Sequence, residues 1–305
     1  MSSNPVIPPT GRPLSPGAIA LMLMLCITWG FNQVVIKLVL PEIPPMLQAA
    51  LRSAGALPVV LAMGWLRGVK FFERDGTLGA GLVTGLAFGL EFALVYQGLR
   101  FTSASRAAVF LYTAPFFVVF GSYRVLGERL GRSQWLGLAL CFAGVVLAIG
   151  VPQANVDAHV LLGDLMIVGG ASLWAVTTLL VKATRLHFAA PEKTLGYQAA
   201  ISAPVLGLLA WLSGETITRV PSPLALSLMA VQAIWVIGLT FTLWVALVKV
   251  YSASKLSAFT FITPLFGVLA GYFIMHDHLT LAFGAAALLV IAGLFLVNRP
   301  VRVPQ

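Results

Sequence analysis

From Leu281 to Val297 the chain carries no charged side chain, and nine other stretches are almost as apolar. Each runs for about 18 to 24 residues, which at about 1.5 Å per residue crosses a hydrocarbon core of about 30 Å. Backbone in lipid has no water to bond to, so only helices and closed barrels can span it. Barrel strands would alternate apolar and polar residues over about ten positions. Runs such as Ala139 to Val151 show no alternation. The sequence therefore predicts an all-α integral membrane protein with ten transmembrane helices, over 18–38, 45–66, 77–98, 104–124, 133–151, 162–182, 194–213, 225–248, 256–274 and 281–298. A water-soluble fold is excluded, because only 10% of the 305 residues are charged, against about 25% in soluble domains.

The chain also repeats itself. Ser103-Ala-Ser-Arg106, Phe110, Pro115, Phe117, Tyr123, Glu128 and Leu130 return 149 positions later as Ser252-Ala-Ser-Lys255, Phe259, Pro264, Phe266, Tyr272, Asp277 and Leu279. Trp29 and Lys37 return at an offset of 145 as Trp174 and Lys182. Such self-similarity marks an internal duplication. Five spans per half is an odd number, so the second copy enters the membrane from the opposite side: two inverted five-helix repeats, 18–151 and 162–298, joined by a linker over 152–161. Symmetry of this kind suits alternating access.

Charge fixes an expected orientation. With the N-terminus in the cytosol, fourteen of the 19 basic residues fall inside, among them Arg67, Lys70, Arg74, Arg124, Arg129, Arg132, Arg185 and Lys193, and only Arg100, Arg106 and Arg219 fall outside. Both termini are then cytosolic, by the excess of basic residues in cytoplasmic loops. This bias also accounts for the net charge of +9 without invoking nucleic acid. Residues 1–17, rich in Pro and Ser, are expected to be a disordered cytosolic tail, and 299–305 a second short one. No cleavable signal precedes the first span, no soluble domain is expected, and Cys26 and Cys141 lie within spans and read as small core residues.

An ionisable group inside a bilayer costs about 2.5 to 3.5 kcal/mol on insertion scales and needs a partner or a purpose. The spans contain one such carboxylate, Glu91, and one deep cation, Arg52. Their similar depth predicts an ion pair, acting as a structural pin, a gate, or a contact for a charged end of a substrate. Lys37 and Lys182 lie near span ends and are expected to snorkel. Trp29 and Asn32, Tyr112, Trp174 and Thr177, Gln198 and Thr240 sit near mid-depth on different helices. Trp29 and Trp174 are repeat mates far from the interface that Trp prefers, so they are expected either to flank a central cavity or to pack between helices. Trp65, Trp135 and Trp211 read as interface anchors, and Gln232 and Trp235 stay undecided. Gly81, Gly85 and Gly89, and likewise Ala199, Ala203 and Gly207, form small-residue ridges for close packing. Pro115 and Pro264 interrupt helix bonding at matching depth, as hinges or fixed kinks. The sequence holds no metalloprotease, nucleophile-elbow, phosphate-loop or Cys-x-x-Cys motif, and its four histidines lie in loops or at span edges. Glu91 is the one candidate for proton coupling.

Trp29-Gly30, Leu99-Arg100 with Thr102-Ser-Ala-Ser105, Pro115, Gly127-Glu128-Arg129, and Gly137 with Gly144 make the chain resemble the EamA-type branch of the drug/metabolite transporter superfamily over nearly its whole length. His276-Asp277-His278 departs from the Gly-Glu signature in the second half. The resemblance implies two inverted five-helix repeats around a central cavity, no cofactor, no enzymatic activity and a bacterial inner membrane location. Within the branch the chain looks most like exporters of amino acids, aromatic ones included, with Glu91, Asn32 and Gln198 serving the charged ends and Trp29, Trp174 and Tyr112 the side-chain pocket. The expected partners are a small-molecule substrate and the lipid bilayer, with the monomer as the working unit. An exporter of cationic drugs, or a subunit that transports nothing, is the alternative.

Overall fold

The computed structural model describes residues 14–102, 104–150, 157–276 and 281–299. Most of the expected tails and half of the 152–161 linker, together with Ser103 and the Asp277-His278 pair, lie outside them. Ten helices among the described residues are long and apolar enough to cross a membrane: α1 (Pro16–Val39), α2 (Pro45–Leu66), α3 (Leu78–Gly98), α4 (Arg106–Leu126), α5 (Arg132–Ile149), α6 (Ala158–Ala183), α7 (Pro191–Leu212), α8 (Pro223–Val250), α9 (Ala253–Met275) and α10 (Leu281–Asn298).

The helices start where caps and prolines tell them to. Pro16, Pro45, Pro191 and Pro223 each occupy a first helical turn, where the missing N–H is no loss. Ser15, Asp157 and Ser222 accept hydrogen bonds from the backbone N–H of Ala18, Val160 and Ala225. These caps explain why α6 and α8 begin a few residues earlier than hydropathy alone predicts.

The duplication is visible in the backbone. Both α4 and α9 break just before their proline: Thr113 closes a turn onto Phe110, and a tight 3-10 turn covers Thr260–Ile262. Both then close with five residues of π-helix, Ser122–Leu126 and Gly271–Met275. Each stops on a left-handed residue, Gly127 at φ 68° and, 149 positions on, His276 at φ 59°. Pro58 and Pro204 lie inside continuous helices.

Packing pairs the two halves. Helix α5 lies along α10, α2 along α7, and α3 against both α6 and α7. The contact of α1 with α9 recurs as α6 with α4, and that of α2 with α8 recurs as α7 with α3. Helix α5 meets α10 backbone to backbone: a Cβ at Gly137 would stand 2.5 Å from the Gly293 carbonyl oxygen, so only glycine fits. The Gly81, Gly85 and Gly89 ridge seats α3 on Tyr197, Ile201 and Ser202 of α7. The ridge expected on α7 is only partly used, because Gly207 faces open space.

Candidate functional site

The middle of the bundle is built from aromatic side chains of four helices. Trp174, Thr177, Thr178 and Val181 of α6 follow i, i+3, i+4, i+7 spacing, and so do Phe241, Trp244, Val245 and Val248 of α8. Each set therefore makes one continuous helix face. The two faces line a cleft closed by Phe88 of α3 and Gln198 of α7. Its volume is about 10 Å³, the room of about one water molecule. In this conformation the walls rest nearly against each other.

Trp244 is the centre of the wall. Its ring stacks on Trp174 at 5.4 Å and meets Trp29 edge-on at 5.7 Å. Trp29 also touches Phe241 at 5.5 Å, and Phe241 meets Phe88 at 5.6 Å. The indole of Trp29 donates to Thr240 Oγ1 at 3.0 Å, and Thr240 in turn donates to the Val236 carbonyl. Phe241 ends eleven residues of π-helix, Val231–Phe241, a widened geometry that recurs at functional sites.

Of the residues singled out from sequence, Trp174, Thr177 and Gln198 line the cleft, while Trp29 and Thr240 stand behind Trp244 and Phe241. Trp29 and Trp174 are bridged by Trp244 rather than facing each other across an open space. Tyr112 does not line the cleft; like Trp29 and Trp174 it packs against the main apolar core to which Trp244 belongs. Asn32 is buried, and its Oδ1 finds no hydrogen-bond partner. Trp244, Phe241 and Phe88 were missed by sequence reasoning. Their helical spacing was the available signal, but within spans this apolar a further aromatic residue gives little contrast.

The expected Arg52–Glu91 ion pair is not formed. Both side chains are buried, yet Arg52 Nε and Nη2 and Glu91 Oε2 have no hydrogen-bond partner. The guanidinium instead lies 4.2 Å over the ring of Phe92, one residue and about 100° round the helix from Glu91. Phe92 meets Phe88 edge-on at 5.0 Å, which links Arg52 to the cleft wall.

Lys182 corrects a second expectation. It does not snorkel; it is 4% exposed and donates to Glu128 Oε1 at 3.2 Å and to the Tyr251 carbonyl. Glu128, in the turn after α4, also accepts from the hydroxyls of Ser252 and Ser254 and from the backbone N–H of Ala253 and Ser254. Burial by itself would push the Glu128 carboxyl up, but Lys182, then the Ser254 and Ser252 hydroxyls, hold it below the usual carboxylate range. At the same end Arg67 pairs with Glu192 and Lys193 with Asp75. At the other end Asp164 holds Arg106 and Thr102, and Glu42 accepts from Ser222. Among the described residues no cluster of His, Cys, Asp and Glu could hold a metal ion.

Comparison with known proteins agrees with this architecture. The model of the EamA-like transporter family matches twice, over residues 16–150 and 161–299. An uncharacterized transporter of Bacillus subtilis, YvbV, is 28% identical over 91% of this chain and 90% of its own. A probable amino-acid metabolite efflux pump of Salmonella typhimurium is 25% identical over 90% of this chain and 93% of its own. An uncharacterized inner membrane transporter of Escherichia coli, YedA, is 25% identical over 81% and 79%. A solved crystal structure superposes with a TM-score of 0.80 over 92% of this chain and 98% of its own at 20% identity, a likeness of fold. With ten apolar spans and relatives of this kind, the chain is a multi-pass inner membrane protein, and it belongs to the EamA-like transporter family.

Proposed function

We propose that the protein exports small metabolites, amino acids including aromatic ones among them, by alternating access around the aromatic cleft. The observation that carries this reading is the cleft itself, where helices of both halves bring four aromatic rings and the polar Gln198 and Thr177 to one place. Pockets that hold small organic molecules combine such apolar walls with a few fixed polar groups. The relatives named as amino-acid metabolite efflux pumps support the same substrate class.

The two halves act as inverted five-helix repeats, with both termini in the cytosol, where fourteen of the 19 basic residues then lie. The exchanged helix pairings and the twin breaks at Pro115 and Pro264 support this symmetry. A substrate larger than water requires the walls to part, and the two prolines, which lack the N–H that would stiffen the helix, are the hinges. The Glu128 cluster ties the cytosolic end shut in this conformation. The monomer is the transporting unit, and no cofactor takes part.

The test is flux of labelled phenylalanine and threonine through proteoliposomes holding the purified protein, first at equal pH and then across a pH gradient. Equilibrating flux without a gradient is the expected result. Concentration that appears only with the gradient makes Glu91 a proton site, and no flux of either amino acid overturns the reading in favour of cationic compounds.

A further inference from the structure

Among the described residues, buried ionisable side chains form ion pairs across the bundle, whereas Arg52 and Glu91 do not. Glu128 has Lys182, Asp164 has Arg106, Glu192 has Arg67 and Lys193 has Asp75. Arg52 and Glu91, 3% and 6% exposed, keep charged atoms without a partner. An ion buried alone is costly enough that proteins pair it or neutralise it. Here an arginine and a glutamate on neighbouring helices form no ion pair, and the guanidinium lies instead over the ring of Phe92, the residue after Glu91. More unpartnered acceptors lie on the same helices and their neighbours: Gln48 Oε1 on α2, Asn32 Oδ1 on α1 and Gln232 Oε1 on α8.

The duplication says what these positions face. Helices α2 and α7 are the same length and start 146 positions apart, at Pro45 and Pro191. Arg52 therefore corresponds to Gln198, which lines the cleft, and Glu91 at the offset of 149 corresponds to Thr240, which holds Trp29. One half of the centre is thus charged, and the matching half is neutral and polar.

We infer that Arg52 and Glu91 are a two-point site for a zwitterion, Arg52 taking the carboxylate and Glu91 the ammonium of an α-amino acid. The planar guanidinium matches a carboxylate in a bidentate fork, and a carboxylate accepts directly from an ammonium. A lone anion would leave Glu91 buried and unmatched, and a lone cation would leave Arg52 so; a zwitterion completes both. Phe92 and Phe88 run from this site to the cleft, which receives the side chain. The inference deepens the amino acid reading above and rests on it.

The experiment is counterflow of labelled L-phenylalanine in proteoliposomes, competed by unlabelled L-phenylalanine, by L-phenylalaninamide, which lacks the carboxylate, and by N-acetyl-L-phenylalanine, which lacks the ammonium. On the wild type each analogue competes at least about tenfold worse, the loss of one charged hydrogen-bond set. R52Q, which installs the residue of the matching position, relaxes discrimination against the amide alone; E91Q relaxes discrimination against the N-acetyl compound alone. Phenylalanine flux with equal competition by all three, or with the same selectivity in both variants, overturns the two-point site while leaving the transport reading intact. A wild type that carries no phenylalanine overturns the amino acid reading and this site together. The analogue series on wild-type protein needs no variant, so misfolding of R52Q or E91Q does not blunt the test.

Discussion

Glu128 with Lys182 and Glu91 with Arg52 are the same chemistry in two places. Both pairs are less than a tenth exposed, and each sets a carboxylate near a cation. The first is complete: five donors from the start of α9 and from α6 converge on one carboxylate, and the N-terminal end of α9 adds its own favourable field. The second is incomplete, with donors left over on Arg52 and an acceptor on Glu91. Residue type and burial are alike, so neither tells a pin from a binding site. The state of the hydrogen-bond network does. A pin uses up its bonding capacity within the fold, and a site keeps some for what arrives.

The largest expected effect breaks the pin. Glu128→Gln leaves Lys182 buried without its counter-charge, which costs about 3 to 5 kcal/mol, and thermal unfolding of the detergent-solubilised protein should show a clear drop in midpoint. Arg52→Gln should change the midpoint far less, since the ion it removes is already unmatched, while transport suffers. Equal melting of Glu128→Gln and wild type would erase the distinction. Acid sharpens it further. The folded-state value of Glu128 is held below its ordinary one, so its contribution is fully present above about pH 4.5 and is lost as pH falls through the folded value. Wild type should lose stability on that descent, and Glu128→Gln should lose less.

A middle-sized effect separates helix contacts that are full from those that are open. Alanine at Gly137 would press a methyl to 2.5 Å from the Gly293 oxygen and 2.8 Å from the Val297 nitrogen, and backbone cannot rotate away. Overpacking of this kind costs about 1 to 3 kcal/mol. Alanine at Gly207 meets nothing within 4 Å and should be neutral or stabilise by up to about 1 kcal/mol, as alanine favours helix. The melting midpoint should therefore fall for the Gly137 variant and hold or rise for the Gly207 variant.

The spans were legible because they depend on run length alone, and the duplication because Pro, Tyr and basic residues recur in fixed order. The site was less so. Depth along a helix can be counted from its ends, and that count placed Arg52 and Glu91 at similar levels. The angle around the helix, which turned the guanidinium onto Phe92, depends on how α2 and α3 pack. Lys182 looked like a snorkelling residue because its partner Glu128 lies 54 positions away in a turn between spans. Trp244 was hidden for the opposite reason: α8 is among the most apolar spans, so one more aromatic residue drew little contrast.

The smallest effect tests whether exposure weakens a pin as the comparison requires. Asp75 pairs with Lys193 at 2.8 Å and caps Thr77 through its hydroxyl and N–H, but its side chain is 31% exposed. Burial alone would raise its carboxyl; the Lys193 and Thr77 hydrogen bonds outweigh that and hold it at about 2. Asp75→Asn keeps an acceptor for the cap and loses only the charge, so it should cost no more than about 1 kcal/mol, less in high salt. The sign is that of a depressed acid: the contribution is present above about pH 4 and fades toward pH 2. At neutral pH its melting shift should be a small fraction of that of Glu128→Gln and should shrink on adding salt, whereas the Glu128 shift, shielded from ions by burial, should not. A salt response shared by both would mean that the Glu128 cluster opens to solvent in the resting protein, and that its bonds are exchanged rather than kept.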